Sequence, residues 1–182
     1  GAVNLNGNFT GTNIRYNADG NVNLADAKNI NSNVTTASNN TGTLNLLGTS
    51  TVSGTVGTDT NRLKEINSGI SGKEGTFSSD VFATDITNTG TGTTTFKNNV
   101  VATNVNVYTG TTNIENNLTA TNTNISTGTA NLNTVSGNTS SNIIFVGSGT
   151  SNLYGNLTGN ITTNANNQGT VTFLGDGNGK SQ

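Results

Sequence analysis

The sequence predicts an all-β fold, a parallel β-solenoid of about nine coils, each roughly 18–22 residues long, with essentially no helix, and three observations predict it. Sixteen residues from Gly1 to Tyr16, GAVNLNGNFTGTNIRY, recur class for class from Gly92 to Val107 as GTTTFKNNVVATNVNV. With Φ apolar, both copies read G-x-x-x-Φ-x-x-(N/D)-Φ-x-x-x-(N/D)-Φ-x-Φ, and an internal repeat of this kind implies a fold assembled from copies of one unit. Most looser copies follow one another at the length of a single solenoid coil, too short a step for a helix-pair repeat. Thr and Asn each make up roughly a fifth of the chain. The first favours strands and the second turns. No long stretch combines helical spacing with good helix formers.

Taken in order, the first coil fills its slots with Leu5, Phe9, Ile14 and Tyr16. Leu24 marks the coil that starts at Gly20 and Leu46 the one that starts at Gly42. A copy without its glycine starts at Lys73 and carries Phe77, Val81 and Ile86. The Gly92 coil carries Phe96, Val100, Val105 and Val107, and the Gly110 coil carries Ile114, Leu118 and Ile125 with Thr123 in the remaining slot. Leu132 and Val135 follow Gly128, then Leu153, Leu157 and Ile161 follow Gly149, and Phe173 follows Gly169. The local alternation Φ-x-Φ, as in Val22 and Leu24 or Leu44 and Leu46, turns these side chains to one face of short strands. Gly and Asn supply the corners, because both tolerate positive φ.

The step from Gly42 to Lys73 is by far the longest, and its excess falls in Gly57 to Gly72. This stretch is expected to be a solvated bulge or an irregular coil that turns Leu63, Ile66 and Ile70 inward. Half of all charges lie between Asp59 and Asp85. Insertions in repeat proteins map to loops on one face, often the binding face, which makes Arg62, Lys64, Glu65, Lys73 and Glu74 the candidate interaction face. Their mixed signs argue against a docking patch of single sign.

Composition bounds the function. With 29% hydrophobic residues and a net charge of −2, the chain is poor in apolar residues without the high charge of a disordered chain. A solenoid reconciles the two, since each thin coil buries few side chains and draws cohesion from ladders to its neighbours. Absence of Pro leaves every ladder N–H in place. Without Cys there is neither a disulfide framework nor a thiolate metal site, and without His the common nucleophile–base pairs are missing. Seven scattered basic residues make no nucleic-acid patch, and no apolar run of membrane-spanning length occurs. Because there is no initiator Met, the chain is expected to be a fragment or a processed product.

Weaker signals point to structure. Glycosidic chemistry needs two carboxylates within about 10 Å; Asp80 and Asp85, like Glu65 and Glu74, are expected to be surface charges instead. Asp176-Gly-Asn-Gly-Lys lacks the closing Glu of a calcium loop, and neither it nor Asn17-Ala-Asp19-Gly20 follows the nonapeptide repeat of calcium-binding β-rolls, so both read as tight turns. Asn-x-Ser/Thr sequences at Asn8, Asn33, Asn39, Asn117, Asn124, Asn138, Asn156 and Asn160 are expected to be corners and strand starts rather than glycosylation sites. Thr93-x-Thr95 and Thr121-x-Thr123 are not expected to recur at one slot, which argues against the flat Thr array of an ice-binding solenoid. No catalytic, cofactor or metal residue is expected.

The strings DGNVNLADAKNINSNVTTASNNTGTLNLLGTSTVSGTVGT, from Asp19 to Thr58, and LKEINSG, from Leu63 to Gly69, resemble the repeat region of rickettsial surface cell antigen autotransporters of the outer-membrane protein A and B type. The similarity extends, more loosely beyond Gly128, over most of the chain. It implies a right-handed β-helical passenger segment, exported to the cell surface and adhesive toward host cells. It carries over no catalytic or binding residue. The expected partners are neighbouring repeats of a longer chain or identical subunits at open solenoid ends, and a receptor on the host cell.

Overall fold

The computed structural model describes residues 1–175 and contains strands, turns and no helix among them. In chain order the strands are β1 (Ala2–Leu5), β2 (Phe9–Tyr16), β3 (Asn21–Leu24), β4 (Asn29–Thr36), β5 (Thr41–Leu46), β6 (Ser50–Val52) and β7 (Leu63–Ser68). There follow β8 (Glu74–Phe77), β9 (Val81–Asn88), β10 (Thr93–Phe96), β11 (Val100–Val107), β12 (Thr111–Ile114) and β13 (Leu118–Ile125). The last are β14 (Thr129–Leu132), β15 (Thr139–Phe145), β16 (Thr150–Leu153), β17 (Leu157–Thr158), β18 (Ile161–Thr163) and β19 (Thr170–Phe173). All pairings are parallel, and two unbroken ladders run through nine levels, β1-β3-β5-β7-β9-β11-β13-β15-β17 (with β18 also on β15) and β2-β4-β6-β8-β10-β12-β14-β16-β19. Nine levels at about 4.8 Å span on the order of 40 Å.

Three walls enclose the core, because the long strands bend. In β11, Val100 and Ala102 point inward, Thr103 and Asn104 both point outward, and Val105 and Val107 point inward again. Two consecutive outward positions break the period of two and turn the chain from one wall to the next. Wall one stacks Val3, Val22, Leu44, Ile66, Ile86, Val105, Thr123, Ile143 and Ile161 in register. Wall two stacks Phe9, Ile30, Val52, Phe77, Phe96, Ile114, Leu132, Leu153 and Phe173. Wall three stacks Ile14, Val34, Val56, Val81, Val100, Leu118, Thr139 and Leu157. In-register stacking places like on like: the rings of Phe77 and Phe96 lie parallel, 4.9 Å apart and 11° from coplanar.

Most expected core positions are buried: Leu24, Leu46, Phe77, Val81, Ile86, Phe96, Val100, Val105, Val107, Ile114, Leu118, Ile125, Leu132 and Leu153. Thr123 also points inward and shares a hydrogen bond of 2.9 Å with the Ser141 hydroxyl. Leu5, Phe9, Ile14 and Leu157 are partly buried against the core. Ile161 and Phe173 are corrections. At 41% and 55% exposed, they occupy the last described level, where no further coil covers them. Val135 is a third correction: it is 70% exposed, because the chain leaves the strand after Leu132 and does not return to a wall until Thr139.

The segment Gly57 to Gly72 is not a bulge. It contains β7, a regular strand of wall one with Leu63 and Ile66 fully buried; Ile70 is half-buried in the turn that follows. The real loop is confined to residues 57–62, and Thr76 stands opposite Thr51, so the local coil is only slightly longer than its neighbours. The added strand shifts the phase of the repeat by one wall. In the first two levels the short strand of the motif lies on wall one and the long strand covers walls two and three. From Lys73 onward the short strand lies on wall two and the long strand covers walls three and one. Phe96 therefore stacks in the column of Phe9, not of Leu5 as the aligned repeat suggests, and Val107 belongs to the column that Leu5 begins. The separation between the two copies is four coils and one wall.

From Gly92 to Gly149 the glycine of the rule is a close-approach residue at the corner between walls one and two. A Cβ on Gly128 would lie 2.5 Å from the Gly110 carbonyl oxygen, and one on Gly149 would lie 2.6 Å from that of Gly128. Real Cβ atoms do not approach this closely, so the corner stacks only if each level omits the side chain.

Two stability outcomes follow from this packing. Leu132→Ala, in the middle of a fully buried column, lowers the unfolding free energy by about 2–5 kcal/mol, whereas Phe173→Ala costs under about 1 kcal/mol. Gly128→Ala costs about 1–3 kcal/mol by overpacking. Urea titrations followed by circular dichroism measure all three, and equal losses for Leu132 and Phe173 would contradict the assigned columns.

Candidate functional site

Outward positions in this fold are columns before they are surfaces. On wall one the amides of Asn23, Asn45 and Asn67 each donate to the Asn one level earlier, starting at Asn4, over 2.8, 2.8 and 3.0 Å. On wall two Asn113 donates to Thr95, Asn131 to Asn113 and Asn152 to Asn131. The first (N/D) slot of the rule caps a corner: Asp80 accepts from the Asn99 backbone N–H, Asn117 from that of Asn138, and Asn138 from that of Asn156. Asn8, Asn33 and Asn142 do the same for Asn29, Thr55 and Asn160. Most of the Asn-x-Ser/Thr sites are thus ladder or cap residues.

A single Thr recurs at one slot, although the Thr-x-Thr pair does not. Thr93, Thr111, Thr129, Thr150 and Thr170 stand in register on the outside of wall two. The neighbouring outward column is Thr95, Asn113, Asn131, Asn152 and Thr172, so the face is mainly Thr-x-Asn and not a Thr-x-Thr array. Each threonine of the first column directly follows a glycine that opens a copy of the rule, at Gly92, Gly110, Gly128, Gly149 and Gly169, so the column can be read from the sequence.

The charged residues gather around the added strand and pair across levels. Lys64 on β7 reaches Asp19 at 2.9 Å, and Lys73 reaches Asp26 at 2.7 Å. Each aspartate also accepts a backbone N–H from the intervening level, Gly42 for Asp19 and Thr49 for Asp26. Each forms a clamp over three consecutive levels, one at either end of wall one. Arg62 pairs within its loop with Asp59 at 3.5 Å. Glu65 lies opposite Asp85 on adjacent strands, and Asp85 accepts from Asn104 over 2.8 Å. Glu74 is exposed, with its backbone N–H directed at the Thr49 hydroxyl over 3.4 Å. The structure thus brings Arg62, Lys64, Glu65, Lys73 and Glu74 to one region and uses the two lysines as fasteners. Among the described residues no group of three or more acidic side chains is placed to hold a metal ion. Asp19-Gly20 belongs to a turn and a clamp; Asp176 and the residues after it lie outside the described residues.

Two polar side chains enter the core beside the added strand. Ser68 and Asn88 face each other in register in wall one, where the columns before and after carry Leu46 and Val107. Asn88 donates to the Thr111 carbonyl over 2.8 Å, while its own Oδ1 and the Ser68 hydroxyl lack a partner. Tyr16, buried near the first corner, donates to the Thr43 carbonyl over 2.7 Å, and burial pushes its phenol above the usual tyrosine range.

The clamps set a pH dependence. The Lys64 ammonium and the Gly42 N–H hold the Asp19 carboxyl below its ordinary value of 3.8, and Lys73 and the Thr49 N–H do the same for Asp26. The unfolded chain takes up these protons at a higher pH than the folded one, so their stabilisation is complete above the ordinary value. It is lost as pH falls through the lowered folded values. Melting temperature should therefore fall more steeply from roughly pH 5 to pH 2 in the parent chain than in the Asp19→Asn, Asp26→Asn double variant. Parallel curves would remove the clamps from the stability of the fold.

Comparison of the chain with protein-family models, with curated proteins and with solved structures finds no match in any of the three.

Proposed function

We propose that this chain is a β-helical passenger segment of a bacterial surface protein, akin to the rickettsial surface cell antigens, with a structural and adhesive rather than catalytic role outside the cell. The observation that carries the reading is the allocation of polar groups. Columns of Asn and Thr bond to one another along the rod, and the acidic groups Asp19, Asp26, Asp80 and Asp85 are all engaged as acceptors between levels. Such groups hold a rod together, and a rod whose outer walls are mostly neutral and hydroxyl- or amide-bearing suits display at a surface. Resemblance of the Asp19–Thr58 and Leu63–Gly69 strings to that family supports the same reading.

A second reading, end-to-end stacking, is favoured by the apolar groups on the terminal levels. Val3 is 56% exposed beside a hollow of about 350 Å³ lined by Leu5, Phe9, Ile14 and Val22, while Ile161, Phe173 and Leu174 are exposed at the other end. The first and last levels present the same columns, so a further coil, from a longer chain or from a second copy, would extend each of them. A contact of this head-to-tail kind does not close on itself.

Two measurements separate the readings. Labelled purified chain should bind cultured host cells saturably and be displaced by unlabelled chain, and antibody against it should stain intact cells of the source bacterium; failure of both would overturn the surface-adhesin reading. Sedimentation and electron microscopy over a range of concentrations should reveal filaments if copies stack, and a monomer at every concentration would leave only stacking within a longer chain.

A further inference from the structure

We propose that a ledge on the corner between walls two and three is a binding site for a neutral saccharide. The site gives the adhesive role a ligand class and rests on that reading for its biological sense. Three successive corners differ in length. Between β12 and β13 three residues make the turn, Glu115–Asn117; between β14 and β15 there are six, Asn133–Asn138; between β16 and β17 there are again three, Tyr154–Asn156. The six-residue corner therefore overhangs its neighbours, and a hollow of about 290 Å³ opens between it and Tyr154–Gly155.

The ledge is fixed. Backbone N–H groups of Val135 and Ser136 both donate to the Glu115 carbonyl, over 3.0 and 2.9 Å. The Asn133 amide donates to the Asn116 carbonyl over 2.5 Å and its oxygen accepts the Thr139 hydroxyl over 2.7 Å, while the Ser136 hydroxyl bonds the Asn116 amide oxygen. Asn133 at φ 64° and Gly137 at φ 94° supply the two left-handed turns. All of these bonds except that to Thr139 tie the loop to the preceding level; the following level meets it closely only where Gly155 packs on the Gly137 carbonyl and Asn133 and where Asn138 caps the Asn156 N–H, and the hollow opens beside these contacts at Tyr154. A loop already held in place loses little conformational freedom when a ligand enters.

Lining chemistry selects the ligand. The hollow is bordered by Thr134, Val135, Ser136, Gly137, Tyr154 and Gly155 beside Asn133, none of them charged, so an ionic ligand would be desolvated without a counter-charge. A purely apolar ligand would strand the hydroxyls and backbone groups of the rim for the same reason. Tyr154 offers a flat apolar ring with a polar tip, and Val135 adds an exposed apolar side chain beside the neutral polar Thr134 and Ser136. A sugar ring, with an apolar C–H face and a rim of neutral hydroxyls, matches both, and the hollow is near the lower size limit for small-molecule sites.

The test uses the purified chain and no cells, so it can fail while adhesion stands, and adhesion can fail while it stands. Amide NMR spectra are recorded during titration with glucose, galactose, mannose and N-acetylglucosamine. At least one should shift residues 133–137 and 154–155 saturably at millimolar concentration. Tyr154→Ala should weaken that sugar about ten-fold or more, and Val135→Trp, filling the hollow from an exposed position, should do the same. Tyr108→Ala, at an exposed tyrosine on a different corner, should leave binding unchanged, and dispersed spectra of all variants establish that they fold. No saturable shift with any of the four sugars, or shifts that survive both substitutions at the ledge, would overturn the site.

Discussion

Parallel in-register stacking is the constraint on which the rest of the structure depends. Each residue rests on its counterpart one level earlier at strand spacing, so a choice made in one coil limits the choice in the next. Inward columns must keep similar shape, as Phe77 and Phe96 do. Outward columns must keep compatible hydrogen bonding, and Asn is well suited because one amide both donates and accepts along the column. Corner columns must keep the same size, which is why glycine follows glycine from Gly92 to Gly149. A chain with so few apolar residues holds a core because three thin columns need only one or two buried side chains per wall and level.

Interchangeable walls explain how the rod accepts an added strand. Every wall presents inward side chains at alternate positions and polar ones outside, so a motif moved by one wall still finds apolar neighbours in register. Polar side chains enter the interior where the phase changes, as they also do further along at Thr123, Thr139 and Ser141. Ser68 and Asn88 replace aliphatic residues in the interior, and the two Lys–Asp clamps flank the same levels of wall one. Exposed ion pairs add little individually, but each aspartate also accepts a backbone N–H from the level between. The clamp therefore fixes three levels at the place where the coil is longest.

Periodicity made the solenoid, the coil number and most buried positions legible, because Φ-x-Φ and the (N/D) and Gly slots recur wherever a wall and a corner recur. Phase was not legible for a physical reason. Aligning Leu5 with Phe96 satisfies the local pattern better than aligning Phe9 with Phe96 does, and only pairing between coils reveals the second as the true column. The charge cluster was legible as a cluster, but the partners of Lys64 and Lys73 lie 45 and 47 residues away, beyond any local pattern. The Thr column on wall two is legible as the position after each opening glycine from Gly92 to Gly169. The ledge left one trace, a longer step from Gly128 to Gly149 after the two shorter, equal steps that join Gly92, Gly110 and Gly128. Val135 was assigned to the core because it is apolar and not because its spacing required it.

Stacking also determines where recognition can arise. A side chain within an outer column already commits part of its hydrogen-bonding capacity to the levels above and below, and replacing it disturbs two neighbours at once. Corners are freer, since loop length there can change while the walls stay paired: the coil with six residues between β14 and β15 keeps regular pairing on wall two, and β15 remains paired with β13 across one register shift, between Thr119 and Asn122. A longer corner must overhang a shorter one, and an overhang of one level creates a concave surface beside the walls. Variation in corner length can therefore generate binding surfaces at little cost to the fold, which makes the ledge at residues 133–138, rather than the charge-rich levels beside β7, the part of this chain most open to acquiring a ligand.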